Sequence, residues 1–276
     1  MNESFDLVIE PNRGVAHYWR DLWRYRELFL FMAWRDILVR YKQTVLGLAW
    51  SILRPLLILL VFSILFGKLA RFPTEGGAPY PVLVLAALLP WQLFANALAD
   101  SSNSLILNAN MISKVYFPRI IIPASTVIVS LVDFVIASTL LAGAMVWYQY
   151  LPGWRLLALP LFVALALLAA MGAGLWMAAL NVRYRDVRYV VPFLVQFGLY
   201  VSPVGFSSSI VPDAWRPLYA LNPMVGVIDG FRWALLGGGI ALDFPSLVVS
   251  TLVCLFFFVT GLIYFRSAER TFADVI

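Results

Sequence analysis

Six stretches of this chain are apolar for about the thickness of a lipid bilayer. A hydrocarbon core of about 30 Å takes roughly 20 apolar residues as helix. The runs Leu46–Phe66, Pro81–Ala99, Ile120–Tyr148, Leu156–Leu180, Val190–Phe206 and Pro245–Phe265 meet or approach that length. The fifth is short and the third is long enough to begin below the membrane surface. Lipid leaves backbone polar groups no outside partner, so such runs must be helices. The expected fold is an all-α integral membrane protein with six transmembrane helices. Composition agrees: 62% of residues are apolar and 13% charged, against roughly 45–50% and 25% in soluble domains.

The loops orient these spans. Basic residues collect on the cytoplasmic side of membrane proteins. With six spans, 15 of the 20 Lys and Arg fall on one side, including eight before or within the first turns of the first span. Lys68, Arg71, Arg155, Arg216 and Arg232 fall on the other. Both termini are therefore expected in the cytoplasm. Residues 1–45 read as a cytoplasmic N-terminus, 46–265 as the transmembrane domain and 266–276 as a cytoplasmic tail. The net charge of +5 follows from this bias and does not call for a nucleic-acid partner. The opening "MNESFDLVIEPNRG" lacks a basic stretch before an apolar core and is not expected to be a signal peptide.

Three features lie outside the spans. In "AHYWRDLWRYRELFLFMAWRDILVRYK", Tyr18, Leu22, Tyr25, Phe29 and Met32 recur at helical spacing, with Arg20, Arg24 and Glu27 opposite. An amphipathic helix lying in the membrane interface is expected, with Asp36 and Arg40 as an i,i+4 pair. Two loops on the cytoplasmic side mix charge, amide and aromatic side chains: "NANMISKVYFPR" (Asn108–Arg119) and "NVRYRDVRY" (Asn181–Tyr189). Topology anchoring alone accounts for the arginines. Docking of a partner also accounts for Asp186 and the tyrosines. On the far side, "NPMVGVIDGFRWALLGGG" has Asn222 as a helix cap, Pro223 at the first helical position and Gly237 just past the end. With "PDAWRPLYAL" before it, this predicts short re-entrant helices ahead of the last span.

No enzyme is visible. The chain carries no Walker pattern, no H-E-x-x-H, no G-x-S-x-G and no CxxC. One histidine and one cysteine make no metal cluster. Two ionisable residues fall inside spans, where they are functional candidates by default. Arg54 lies about 12 Å into the first span, within snorkelling range of the interface. Asp133 lies nearer mid-membrane and is expected to face protein and bond a Ser or Thr of a neighbouring helix. With no second buried acid or histidine beside it, a proton relay is not expected. Phe193, Phe197 and Tyr200 share one face of the fifth span, with Gln196 close by. Trp91 and Phe94 flank Pro90. Such aromatics either pack or offer stacking faces to a sugar chain.

The ordered set "RDILVRYKQTVLGLAWSILRPLL", "LLPWQLFANAL", "NANMISKVYFPRIIIP", "NVRYRDVRYVVPFLVQFGLYVSPVGF" and "LNPMVGVIDGFRWALLG" resembles the type-2 ABC transporter permeases that export polysaccharides. The O-antigen branch is the nearest. The resemblance runs from about residue 25 to 265. It implies a half-transporter that pairs with a second copy of itself and with two separate ATPase subunits. Those subunits would bind ATP and Mg; this chain would bind no cofactor. The substrate implied is a lipid-linked polysaccharide crossing the bacterial inner membrane. Asn108–Arg119 would be the cytoplasmic coupling helix. Met111, Ser113, Lys114, Tyr116, Phe117 and Arg119, with Arg183, Arg185 and Asp186, would meet the ATPase. Arg54, Trp91, Phe94, Phe193, Gln196, Phe197 and Tyr200 would line the channel. The same fold could serve a small molecule or drug instead. A secondary transporter would need inverted repeats and more buried charge, and neither is visible.

Overall fold

The computed structural model describes residues 15–42, 48–70, 76–184, 186–237 and 240–272, with side chains from Arg20 onward. The described residues are helices and turns, with no strand among them. On the terminal side come α1 (Val15–Arg24) and α2 (Arg26–Lys42). The first long apolar helix is α3 (Ala49–Phe62), which widens into a π turn ending at Leu69. Next come α4 (Tyr80–Leu107), the single turn α5 (Ala109–Ile112) and α6 (Ile121–Trp147). A 3₁₀ turn, Trp154–Ala158, leads into α7 (Leu159–Arg183). The remainder is α8 (Val187–Val201), α9 (Arg216–Tyr219), α10 (Pro223–Leu236) and α11 (Phe244–Glu269). Among the described residues five helices, α3 with its π turn, α4, α6, α7 and α11, are long and apolar enough to cross a bilayer. The shorter apolar helix α8 has 15 residues, or about 22 Å of rise. The start of the first expected span, at Leu46, and the N-terminal segment "MNESFDLVIEPNRG" lie outside the described residues.

Helix α4 is the hub. From Val82 to Leu89 every side chain is buried, and α4 packs on α3, α6, α7, α8 and α10. It runs eight residues beyond the expected span end at Ala99. The polar run Asp100–Ser104 reads as loop, yet its side chains bond back into the helix. Ser101, Ser102 and Ser104 donate to the carbonyls of Leu98, Ala99 and Ser101, and Asn103 donates to that of Ala99. Polar groups satisfied in this way let the helix continue while buried. Helix α8 stops earlier than expected, at Val201 rather than Phe206. Pro203 forces extended backbone on the residue before it, and Ser202 has φ −79° and ψ 153°.

The tightest crossing is between α7 and α11. A Cβ at Gly172 would sit 2.4 Å from the backbone N of Phe258, and one at Gly261 would sit 2.2 Å from the carbonyl O of Gly172. Absent side chains let the backbones touch, and dispersion replaces the hydrophobic drive that lipid cannot supply. One turn away the Trp176 and Tyr264 rings stack at 4.3 Å.

A second apolar cluster holds the terminal side together. Met32 of α2 meets Leu105, Ile112, Phe117, Ile120 and Ile121, with Phe265 of α11 and Phe272 just beyond it. Leu22, Tyr25 and Phe29 pack against it, while Arg20, Arg24 and Glu27 face out. From this cluster α2 runs along the first half of α6 and in the same direction. Ser125 of α6 lies 3.5 Å from Asp36, and further on Asp133 meets Arg40 and Tyr41. The expected i,i+4 pair of Asp36 and Arg40 does not form. Asp36 pairs with Arg35 at 2.7 Å, because Arg40 is drawn to carboxylates on α4 and α6.

On the opposite side, α10 starts and ends where its capping residues predict. Asn222 Oδ1 accepts from the Met224 N–H at 3.0 Å, and Gly237 follows with φ +68°. The buried Arg232 of α10 donates to the carbonyls of Phe206 and Val204 at 2.8 and 3.2 Å, so it pins the loop after α8.

Candidate functional site

A cavity of about 460 Å³ opens between α3, α4, α6 and α8, within the range of ligand sites. Its walls are uneven. Trp50, Pro55, Ile58, Phe134 and Leu199 are among its apolar lining, and Arg54, Gln92, Asn96 and Gln196 among its polar lining. Trp91 forms part of the wall and is itself 5% exposed, its indole lodged against Gly198 of α8. A Cβ at Gly198 would come within 2.6 Å of that ring, so glycine is what lets α8 close over Trp91.

Three expected channel residues, Arg54, Trp91 and Gln196, therefore meet in one cavity. Arg54 has no pairing partner among the described residues and is exposed on α3. The others lie elsewhere. Phe94 tilts against Trp91 at 5.6 Å and turns into the protein core. Phe193, Phe197 and Tyr200 are 65%, 57% and 61% exposed on the outer face of α8, with the two phenylalanines stacked. That face is apart from the cavity of a single chain.

An ionic cluster beside the cavity joins the last turn of α2 to α4, α6 and the first turn of α3. Arg40 bridges Asp100 of α4 at 2.8 Å and Asp133 of α6 at 3.0 Å. Asp133 also accepts from the Tyr41 hydroxyl, and from Ser51 of α3 at 2.7 Å. Burial disfavours the guanidinium charge, but the two carboxylates offset this and Arg40 is held above its ordinary pKa. Burial, then the bond to Asp133, lifts the Tyr41 phenol to about 12. Tyr41 therefore remains a donor at physiological pH. Asp133 does face protein and bond a serine, and it shares Arg40 with a second acid.

The loop of Asn108–Arg119 divides into an outer and an inner face. Ser113, Lys114, Val115 and Tyr116 are exposed and Met111 is half-buried. Phe117 is buried in the terminal-side cluster. Arg119 turns inward: its backbone N–H donates to Glu269 Oε1 at 2.7 Å, its guanidinium reaches the Glu269 carbonyl, and it covers the Phe272 ring. Beyond α7, Arg183, Tyr184, Asp186, Arg188 and Tyr189 are exposed around a two-helix turn. Arg185 lies outside the described residues.

The family model for the ABC-2 type transporter matches residues 27–236. That range takes in the cavity, the ionic cluster and the outer loop. The chain belongs to the ABC-2 type transporter family. It is 27% identical over 251 residues to the O-antigen export system permease protein RfbA of Klebsiella pneumoniae, covering 91% of this chain and 95% of that one. The protein of the same name from Myxococcus xanthus is 28% identical over 215 residues, 77% and 82% of the two chains. The polysialic acid transport protein KpsM of Escherichia coli is 27% identical over 245 residues, 86% and 91%.

Within this ABC-2 chain, sequence reasoning missed Arg40, Tyr41 and Ser51 as cavity residues and Asp100 as the second acid on Arg40. Arg40 was spent on a local helix pair. Asp100 stood one residue past an expected span end. The signal that could find them is the excess of ionisable groups at the ends of spans one to three, more than orientation needs.

Proposed function

We propose that the chain is the membrane-spanning permease subunit of an ATP-driven exporter. It moves a lipid-linked, O-antigen-like polysaccharide across the bacterial inner membrane, with energy from a separate ATPase subunit. The observation that carries this reading is the likeness to RfbA of Klebsiella pneumoniae over nearly the whole of both chains. The cavity supports it: amides of Gln92, Asn96 and Gln196 beside aromatic walls match the hydroxyls and C–H faces of sugars. ATP and Mg belong to the ATPase, which docks on the exposed Lys114–Tyr116 edge and the Arg183–Asp186 turn.

In this reading six helices span the membrane. α8 crosses with the loop that Arg232 pins, α9 and α10 dip back from the far side, and both termini are cytoplasmic. α1 lies in the interface. Two copies pair, and the bare faces of α3 and α8 support that. Phe193, Phe197 and Tyr200 then face the pathway between copies, while Arg54 meets the substrate from α3.

Deleting the gene tests the substrate class. Undecaprenyl-linked glycan should accumulate inside the cell while surface glycan disappears, and the intact gene should restore export. Normal surface glycan, with new sensitivity to a small toxic compound, would reassign the chain to small-molecule transport.

A further inference from the structure

Helix α2 has a different job at each end. At its first half Met32 is buried with Ile112 and Phe117, and Arg35 donates to Asn108 at 3.0 Å. Both contacts tie it to the loop whose outer edge is exposed. At its last turn Arg40 and Tyr41 line the cavity. The stretch from Met32 to Tyr41 belongs to one helix and makes a rod of about 14 Å. A rod held to the loop at one end cannot leave its other end in place when the loop moves.

The electrostatics at the cavity end favour two discrete arrangements. One guanidinium serves two carboxylates on two different helices. With Arg40 present, α4 and α6 are tied to one another and to α2 beside the cavity. Without it, two like charges face each other, and the Asp133 side chain is only 9% exposed. Asp100, 37% exposed, is partly screened by water while Asp133 is not, and the two helices relax apart beside the cavity. Arg suits the post, because its planar fork can bond two acceptors at once.

We propose that Arg40 is a latch: it positions α4 and α6 to close the cavity beside the last turn of α2, and displacement of α2 by the Asn108–Arg119 loop opens that side to substrate. The proposal deepens the export reading and rests on it for the identity of what enters. The latch itself is a property of this chain and can be read without any glycan.

The test uses the full chain in its native membranes. Gln92→Cys places a thiol on the cavity wall, and the natural Cys254, fully buried against α10, reports unfolding. A membrane-impermeant maleimide is added to the face carrying the C-terminus, without ATP, and each cysteine is quantified by peptide mass. The thiol at position 92 should react slowly beside Arg40. Adding Arg40→Gln should speed it about ten-fold, the size of an ordinary coupling between two states, with Cys254 still unreactive. If Arg40→Gln does not accumulate, Arg40→Lys is used; its point charge cannot fork between both acids, so a rise of about three-fold is expected. Equal rates with and without the substitution would overturn the latch, and so would a rise shared by Cys254. Export lost in the deletion strain but equal labelling would sink the latch alone. Faster labelling with unchanged surface glycan would sink the export reading alone.

Discussion

Helices α3 and α4 are both apolar enough to span a bilayer, yet they live in different surroundings. In the most apolar stretch of α4, 78% of residues are buried inside the chain; in that of α3, 11% are. α4 is the centre of a finished core with α6, α7 and α10 around it. α3 lies on the rim and shows Leu56, Leu57, Leu60, Val61, Ile64 and Leu65 to the outside. Composition alone cannot tell these helices apart, because lipid and protein interior are about equally welcoming to leucine. The difference is one of packing. The cavity forms where the two environments meet, with polar groups supplied by both.

The largest effect should come from breaking the finished side. Gly172→Val would drive a branched side chain into the backbone of Phe257 and Phe258, where even a Cβ comes within 2.4 Å. Neither backbone can swing away as a side chain would. The α7–α11 crossing should come apart at a cost of about 3 kcal/mol or more. Little monodisperse protein should survive detergent extraction and gel filtration. Gly143→Val is the control on α6, where an added Cβ has nothing within 4 Å. Normal recovery of Gly172→Val would mean that the crossing is looser than drawn.

Leucine truncation sharpens the contrast at smaller cost. Leu88 on α4 is fully buried and Leu57 on α3 is 53% exposed. In a membrane protein the transfer term largely cancels, leaving mostly lost contacts and a cavity. Leu88→Ala should therefore cost about 2 kcal/mol, the low end of core truncations. Leu57→Ala should stay within about 0.5 kcal/mol. Thermal unfolding in detergent separates the two. If Leu57→Ala proved as costly as Leu88→Ala, the α3 face would be packed on protein, and a tightly held second copy would be the first suspect.

Five of the six expected spans were legible because length and apolarity suffice to define them, and α10 was legible because Asn222, Pro223 and Gly237 are local signals. The extent of α4 was not. Its serines and asparagines look like loop until their bonds to the preceding turn are seen, and Asn181 of α7 closes the set by donating to the Ser102 carbonyl at 3.0 Å. Arg54, Trp91 and Gln196 were singled out from three separate spans and share one cavity. The ionic cluster was not legible, because a pairing among α2, α4 and α6 has no sequence period. Arg119 misled for a related reason: a basic residue in a basic loop reads as exposed until Glu269, 150 residues away, claims it.

The smallest stability effect belongs to the face where function is most in question. Phe193, Phe197 and Tyr200 make few contacts within the chain, so replacing all three with Ala should move the melting temperature of the detergent-solubilised protein by no more than about 2 °C. A purely lipid-facing stripe would also leave export untouched, since Ala is tolerated in lipid. A stripe that guides sugars would lose stacking contacts on each passing residue, and surface glycan should fall about five-fold or more at unchanged protein level. The pair of readouts is what decides. Lost export with unchanged melting places the aromatics on the pathway between copies. Unchanged export returns them to the bilayer and leaves the cavity behind Trp91 as the remaining route.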